Sequence, residues 1–184
     1  MPKLIFITCF LFISHSPFAQ HHISLDCSEV TNTKIALNGI NVSIFYHFNE
    51  SLSGGVEINR FFNKNFIERE NNSEHTVNEI DLSVWEFSYN FHYNISISKH
   101  WKFYPIMGFS HTSDKEKFIR LGKVHTDHFW SFNTGLGIKY AIGKISPHVE
   151  YLFTWGKINQ EFLLVGFSYE LKLAPHKNKI RLKE

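Results

Sequence analysis

Two short runs carry residue types that could do chemistry. His111-Thr112-Ser113-Asp114 sets a base and a nucleophile two residues apart. A serine hydrolase also needs a third group to orient the base, and Glu116 is nearby in sequence. His125-Thr126-Asp127-His128 offers two imidazoles and a carboxylate of the kind that ligate metal ions. A third set is dispersed along the chain: Glu57, Glu86, Lys139, His148, Glu150 and Glu170. For these the choice lies between a catalytic carboxylate pair and a buried ion and hydrogen-bond network.

What these residues can do depends on the elements that hold them, and the stretch Phe129–Trp155 sets the pattern. Trp130, Phe132, Leu136, Ile138, Tyr140 and Ile142 alternate with Ser131, Asn133, Gly135, Gly137, Lys139 and Ala141. Gly143-Lys144 permits a tight turn. Ile145, Pro147, Val149, Tyr151, Phe153 and Trp155 then alternate with Ser146, His148, Glu150, Leu152 and Thr154. A period of two means strands with one apolar and one polar face, folded here into an antiparallel hairpin.

The same alternation runs through Ile40–Phe48, Val56–Phe62, Trp85–Ser98 (preceded by Leu82 and Val84), Trp101–Phe109 and Leu163–Leu173. Arg60 falls on the apolar parity, at a place where it can snorkel. That makes seven strands. A closed bacterial barrel needs an even number, so an eighth is expected within Gln20–Asn38, near Ile23–Val30. Asn63–His75 and Ser113–Thr126 read as charged loops on one side, Gly156–Gln160 as a shorter one. Both termini then fall on the opposite, tight-turn side, which is expected to be periplasmic.

The bulky aromatic faces would overfill a small lumen, whereas Ser, Asn, Gly and Thr suit a narrow interior. Turned outward, the aromatics suit lipid. The chain has 16% aromatic residues, 19 of them Phe, and girdles at a bilayer surface would absorb that surplus. Tyr46, Trp85, Trp101, Tyr104, Trp130, Tyr140 and Trp155 are the expected interface anchors. Glu57, Glu86, Lys139, His148, Glu150 and Glu170 then point inward, and pairing is expected over catalysis. Lys139 should meet at least one carboxylate, because an unpaired charge in a narrow interior is costly. Residues three apart on a strand face opposite ways, so the spacing of His125 and His128 works against a metal. No metal and no cofactor are expected.

The 184-residue chain has a formal net charge of +2, which argues against a nucleic-acid partner. Lys3 followed by the apolar run Leu4–Ile13 and a small residue at Ala19 reads as a signal peptide over residues 1–19. Residues 20–173 form the expected barrel and residues 174–184 a basic tail. Cys27 is the single cysteine after Ala19 and cannot close an internal disulfide.

The runs PIMGFS (105–110), GLGIKY (135–140), SPHVEY (146–151) and LLVGFSYEL (163–171), after a leader ending FAQ, resemble small outer-membrane β-barrel proteins of the OmpA/OmpX-like type. The resemblance is strongest to the outer membrane protein beta-barrel domain proteins common in Bacteroidetes. The eleven residues after the last strand depart from that pattern. The resemblance implies an eight-stranded antiparallel up-and-down transmembrane barrel: a monomeric, non-enzymatic outer-membrane protein. Its partners would be outer-membrane lipids and lipopolysaccharide, with a possible external ligand at loops 63–75 and 113–126. Two other functions are kept. The His111/Ser113 pair resembles that of outer-membrane lipid A deacylases, although their motif continues with Asn and stands before the final strand. A soluble lipocalin-like periplasmic carrier would instead turn the apolar faces inward around a ligand.

Overall fold

The computed structural model describes residues 22–69, 77–119 and 121–173; the expected signal peptide and basic tail lie outside them. Alternating sequence becomes ten strands: β1 (His22–Asn32), β2 (Leu37–His47), β3 (Leu52–Phe61), β4 (Lys64–Arg69), β5 (Val77–Tyr93), β6 (Ile95–Ser96), β7 (Trp101–Phe118), β8 (Lys123–Tyr140), β9 (Ile145–Gly156) and β10 (Gln160–Lys172). All pairings are antiparallel between chain neighbours, and β1 pairs with β10 to close the ring. β4 continues β3, because Arg60 faces Trp85 and Lys64 faces Leu82, a register slip of one residue that marks a bulge. β6 continues β5 without a slip. The barrel is therefore eight-stranded, and its first strand is β1, in the segment where the sequence required one.

Register fixes the dimensions. Stepping across partners from His22 leads through His47, Ser53, His92, Ile106, Gly135, Leu152 and Phe162 to Asn32, ten residues further along β1. With a rise of about 3.3 Å and a strand spacing of about 4.8 Å, that shear tilts the strands by about 40° and gives a backbone radius of about 8 Å. Such an interior holds side chains and no channel. Each residue climbs the barrel axis by about 2.5 Å, so register also yields depth.

The apolar set faces out: Val42 is 56% exposed, Phe167 63% and Trp130 71%. A lipocalin-like interior is thereby overturned, since the cavity such a carrier needs would require the reverse parity. Turns at Phe48–Glu50, Ser98–His100 and Ala141–Lys144 lie at the end that carries His22 and Leu173. Gly143 has φ 67° while Lys144 stays at negative φ, as a type II′ hairpin requires.

The two segments read as long loops are largely strand. Lys64–Arg69 forms β4, and Ser113–Thr126 largely continues β7 and β8, with turn residues at Ile119, Leu121 and Gly122, while residues 70–76 and 120 lie outside the described residues. Charged residues alternate as faithfully as apolar ones, and above a membrane both faces of a strand meet water, so hydropathy does not reveal it. β4, β5, β7 and β8 consequently stand about 15–20 Å taller than the level of Trp85, whereas the β1–β2 and β9–β10 turns end within about 5 Å of it.

Candidate functional site

The lumen is filled in layers. Glu57 is 2% exposed and accepts from Asn90 Nδ2 at 2.8 Å and Asn41 Nδ2 at 3.4 Å. Asn41 also donates to Asn59 Oδ1 at 2.7 Å, and Asn59 Nδ2 to Glu86 Oε1 at 3.0 Å. Glu86 takes further bonds from Ser88 at 3.3 Å and Thr112 at 3.2 Å. From Asn90 the chain continues to Asn133 at 3.1 Å and Ser110 at 3.0 Å. One connected network thus crosses β2, β3, β5, β7 and β8, its carboxylates served by neutral amides and hydroxyls. Neutral donors satisfy buried oxygens without burying a second charge.

A second cluster lies nearer the end that carries His22. The Tyr104 hydroxyl donates to Glu150 Oε1 at 2.7 Å, and its ring stacks on His92 at 5.0 Å. His148 Nε2 lies 2.9 Å from Ser28 Oγ. Lys139 does not meet a carboxylate: among the described residues none lies within 4.0 Å of its ammonium, which sits 5.4 Å from the Tyr104 ring centroid. The aromatic face offers the cation a partner in place of an ion pair, and the buried Asp26 Oδ1 beside the same cavity accepts no hydrogen bond from the described residues. Glu170 is half-exposed at the mouth of this end, and among the described residues its side chain makes no hydrogen bond or ion pair with the others. Between the two clusters His92 Nε2 stands 4.0 Å from Glu57. A polar cavity beside Lys139, His47 and His148 has room for about one water.

Level with the amide–carboxylate network, the side of the lumen lined by β1, β9 and β10 is apolar. Val30, Leu37, Phe61, Leu152, Phe162 and Leu164 are all at most 4% exposed, with the Phe61 and Phe162 rings 5.6 Å apart. The asparagines and this plug were not singled out from the sequence, where only charged residues drew attention; inward parity was the signal available for both.

Tyr104 corrects the list of interface anchors. It is 2% exposed and lies in the lumen, on the inward parity of Lys102 and Ile106. Gly137 makes room for it, because a Cβ there would strike the Tyr104 ring. The other six anchors face outward. Register places Trp85, Trp130 and Trp155 within about 2 Å of one level. Tyr46, Trp101 and Tyr140, with Tyr93 and Tyr169, gather around a second level about 23 Å away. An apolar band of outer-membrane barrels measures about 25 Å.

A model of the outer membrane protein beta-barrel domain family matches residues 18–170. The chain belongs to this family. It is an outer-membrane β-barrel, and solved barrels share its fold at low identity. Ail, the attachment invasion locus protein of Yersinia pestis, matches at 16% identity and TM-score 0.56, over 84% of this chain and 100% of that one. The N-terminal barrel of Pseudomonas aeruginosa OprF matches at 11% and 0.61, over 83% and 98%. Neisserial surface protein A matches at 11% and 0.55, over 84% and 98%. No curated protein matches the sequence.

In this outer-membrane barrel the two motifs that began the argument meet on the tall sheet, split by strand parity. His111, Ser113, Thr126 and His128 share the outward parity of Trp130, whereas Thr112, Asp114, His125 and Asp127 take the inward one. The His111 and His128 rings stack at 5.7 Å. Asp114 faces Asp127 directly, and Glu116 faces His125. Burial, then repulsion from Asp127 and Glu116, pushes the Asp114 carboxyl up to about 6. The Lys157 ammonium, bonded to Asp127, holds that carboxyl below its ordinary value. Among the described residues no group of three His, Cys, Asp or Glu side chains could hold a metal ion. Parity also separates the hydroxyl of Ser113 from Asp114 and Glu116, so neither of these carboxylates lies on its face of the strand.

Proposed function

We propose that this protein is a sealed, non-enzymatic outer-membrane barrel that anchors a tall one-sided sheet at the cell surface for binding. The observation that carries this reading is the filled lumen: an amide–carboxylate network crosses it, and an apolar plug fills the side of β1, β9 and β10 next to that network. Transport through such an interior would require breaking buried hydrogen bonds. What remains available to a partner is the outside. Short turns face the periplasm in bacterial barrels, which turns β4, β5, β7 and β8 outward. The lumen residues Glu57, Glu86, Lys139, His148 and Glu150 serve as filling, and the two aromatic levels serve as girdles. The first 19 residues direct export and are removed. A surface-attachment role, which the name of the Yersinia neighbour carries for that protein, suits a sheet raised above the membrane on one side.

Two measurements test this. Fractionation with a heat-modifiability gel is expected to place the protein in the outer membrane, with boiled and unboiled samples migrating differently; a soluble periplasmic protein would sink the membrane reading. In planar bilayers the inserted protein is expected to pass no steady current. Stable unitary conductance would refute the sealed lumen.

A further inference from the structure

The geometry points to a binding site for a phosphate of an outer-leaflet glycolipid on the outer wall of β5, β7 and β8. Its donors are Lys115, Ser113, His111 and His128. The inference rests on the outer-membrane reading above and adds a ligand and an address to it.

Strand parity creates the site. Asp114-Lys115-Glu116-Lys117 has no net charge as a sequence, yet as a strand it sends Asp114 and Glu116 toward the barrel axis and both lysines outward. Register then lays out three rows across β5, β7 and β8: Ser83, Lys115, Thr126; Trp85, Ser113, His128; Phe87, His111, Trp130. Adjacent members stand about 5 Å apart at Cβ. The patch contains one permanent cation, two imidazoles and three hydroxyls, and no carboxylate. The nearest acid on this face, Asp81, is one row higher and opposite Lys117. Lys115, His128 and Thr126 are exposed, and His111 lies against the Trp130 ring at 5.0 Å.

Depth selects the ligand. Trp85 and Trp130 mark the edge of the apolar band, and the donors run from about that level to about 8 Å above it. This is where the headgroups of the outer leaflet lie against the wall. An anion held between two tryptophans there meets a cation and hydrogen-bond donors at once, and charge-assisted bonds of that kind are the strong ones. A soluble anionic glycan would more readily meet the tip of the sheet than a face pressed to lipid. Hydrolysis lacks its orienting carboxylate, because Asp114 and Asp127 occupy the opposite face.

The test uses the full-length protein in phospholipid nanodiscs, with diphosphoryl lipid A and its dephosphorylated form as competing probes and retained lipid read by native mass spectrometry. The expected result is about a tenfold preference for the phosphorylated form. The Lys115→Gln/His128→Gln variant is expected to lose it, whereas Lys144→Gln, at a turn on the other end, keeps it. Absence of preference in the unaltered protein overturns the site without reliance on any variant. So does a preference that survives the double substitution, or that a soluble sulfated glycan abolishes equally in both proteins. Loss of an acyl chain from the probe, prevented by Ser113→Ala, would replace binding with catalysis. A protein that fails to enter the nanodisc overturns the membrane reading and the site together; an inserted protein without preference overturns the site alone.

Discussion

Removing one oxygen from Tyr104 separates a lumen residue from an interface anchor. Tyr104→Phe keeps the ring on His92, under the Lys139 ammonium and over Gly137, and deletes only the donor to Glu150. Glu150 is 5% exposed, so water does not freely replace that donor. Losing a hydrogen bond to a buried carboxyl costs about 1.5–3 kcal/mol. With a urea dependence of about 2 kcal/mol per molar, the unfolding midpoint should fall by about 1 M. The assay is urea unfolding in lipid vesicles followed by the fluorescence of the four tryptophans. Tyr89→Phe is the control: Tyr89 is 46% exposed on the lipid-facing wall, and its hydroxyl should matter by less than about 0.5 kcal/mol. If the two variants unfold at the same midpoint, Tyr104 does not serve Glu150, and the inward assignment of its hydroxyl is wrong.

Two further outcomes follow, one from the lipid-facing wall and one from the inner face of the tall sheet. Glu29 faces lipid about 10 Å below the Trp85 level, exposed and without a hydrogen bond or ion pair among the described residues. Glu29→Leu is expected to stabilise the inserted barrel by about 1–2 kcal/mol in the same unfolding assay; a loss of stability would mean the carboxylate has a partner in the membrane. Asp114 titrates in the folded sheet at about 6, above the ordinary carboxylate value of 3.8. The folded hairpin therefore binds that proton more tightly than the unfolded chain, and its stability rises as pH falls from about 6 toward 4. Asp127, whose value is lowered, loses its contribution only below that window. Amide exchange across residues 114–127, corrected for intrinsic rate, should be slower at pH 5 than at pH 7.5, and Asp114→Asn should remove the difference. Equal protection in the unaltered protein would contradict the assignment.

Strand, face and barrel were legible in the chain because alternation is a local property: side chains at i and i+2 share a face whatever surrounds them. The alternation of Trp130 with Ser131 and of Phe87 with Ser88 was enough to send aromatics to lipid and small polar groups inward. Evenness of strand number then required a strand before Asn38, and β1 is there. The inward parity of Tyr104 could be read in the same way, and only its residue type pulled it toward the girdle.

What tertiary structure alone decided is everything that depends on register between strands far apart in sequence. A shear of ten brings Asn90 to Glu57 and Asn59 to Glu86, and it puts Lys139 over Tyr104 in place of a carboxylate. It also sets Trp85, Ser113 and His128 in one row. Hydrophobic patterning cannot specify these partners, because it fixes which way a side chain points and leaves open what stands opposite. The tall sheet was hidden for a related reason. With water on both sides no apolar face is needed, so its strands carry alternating charge, and only their pairing shows that they are strands.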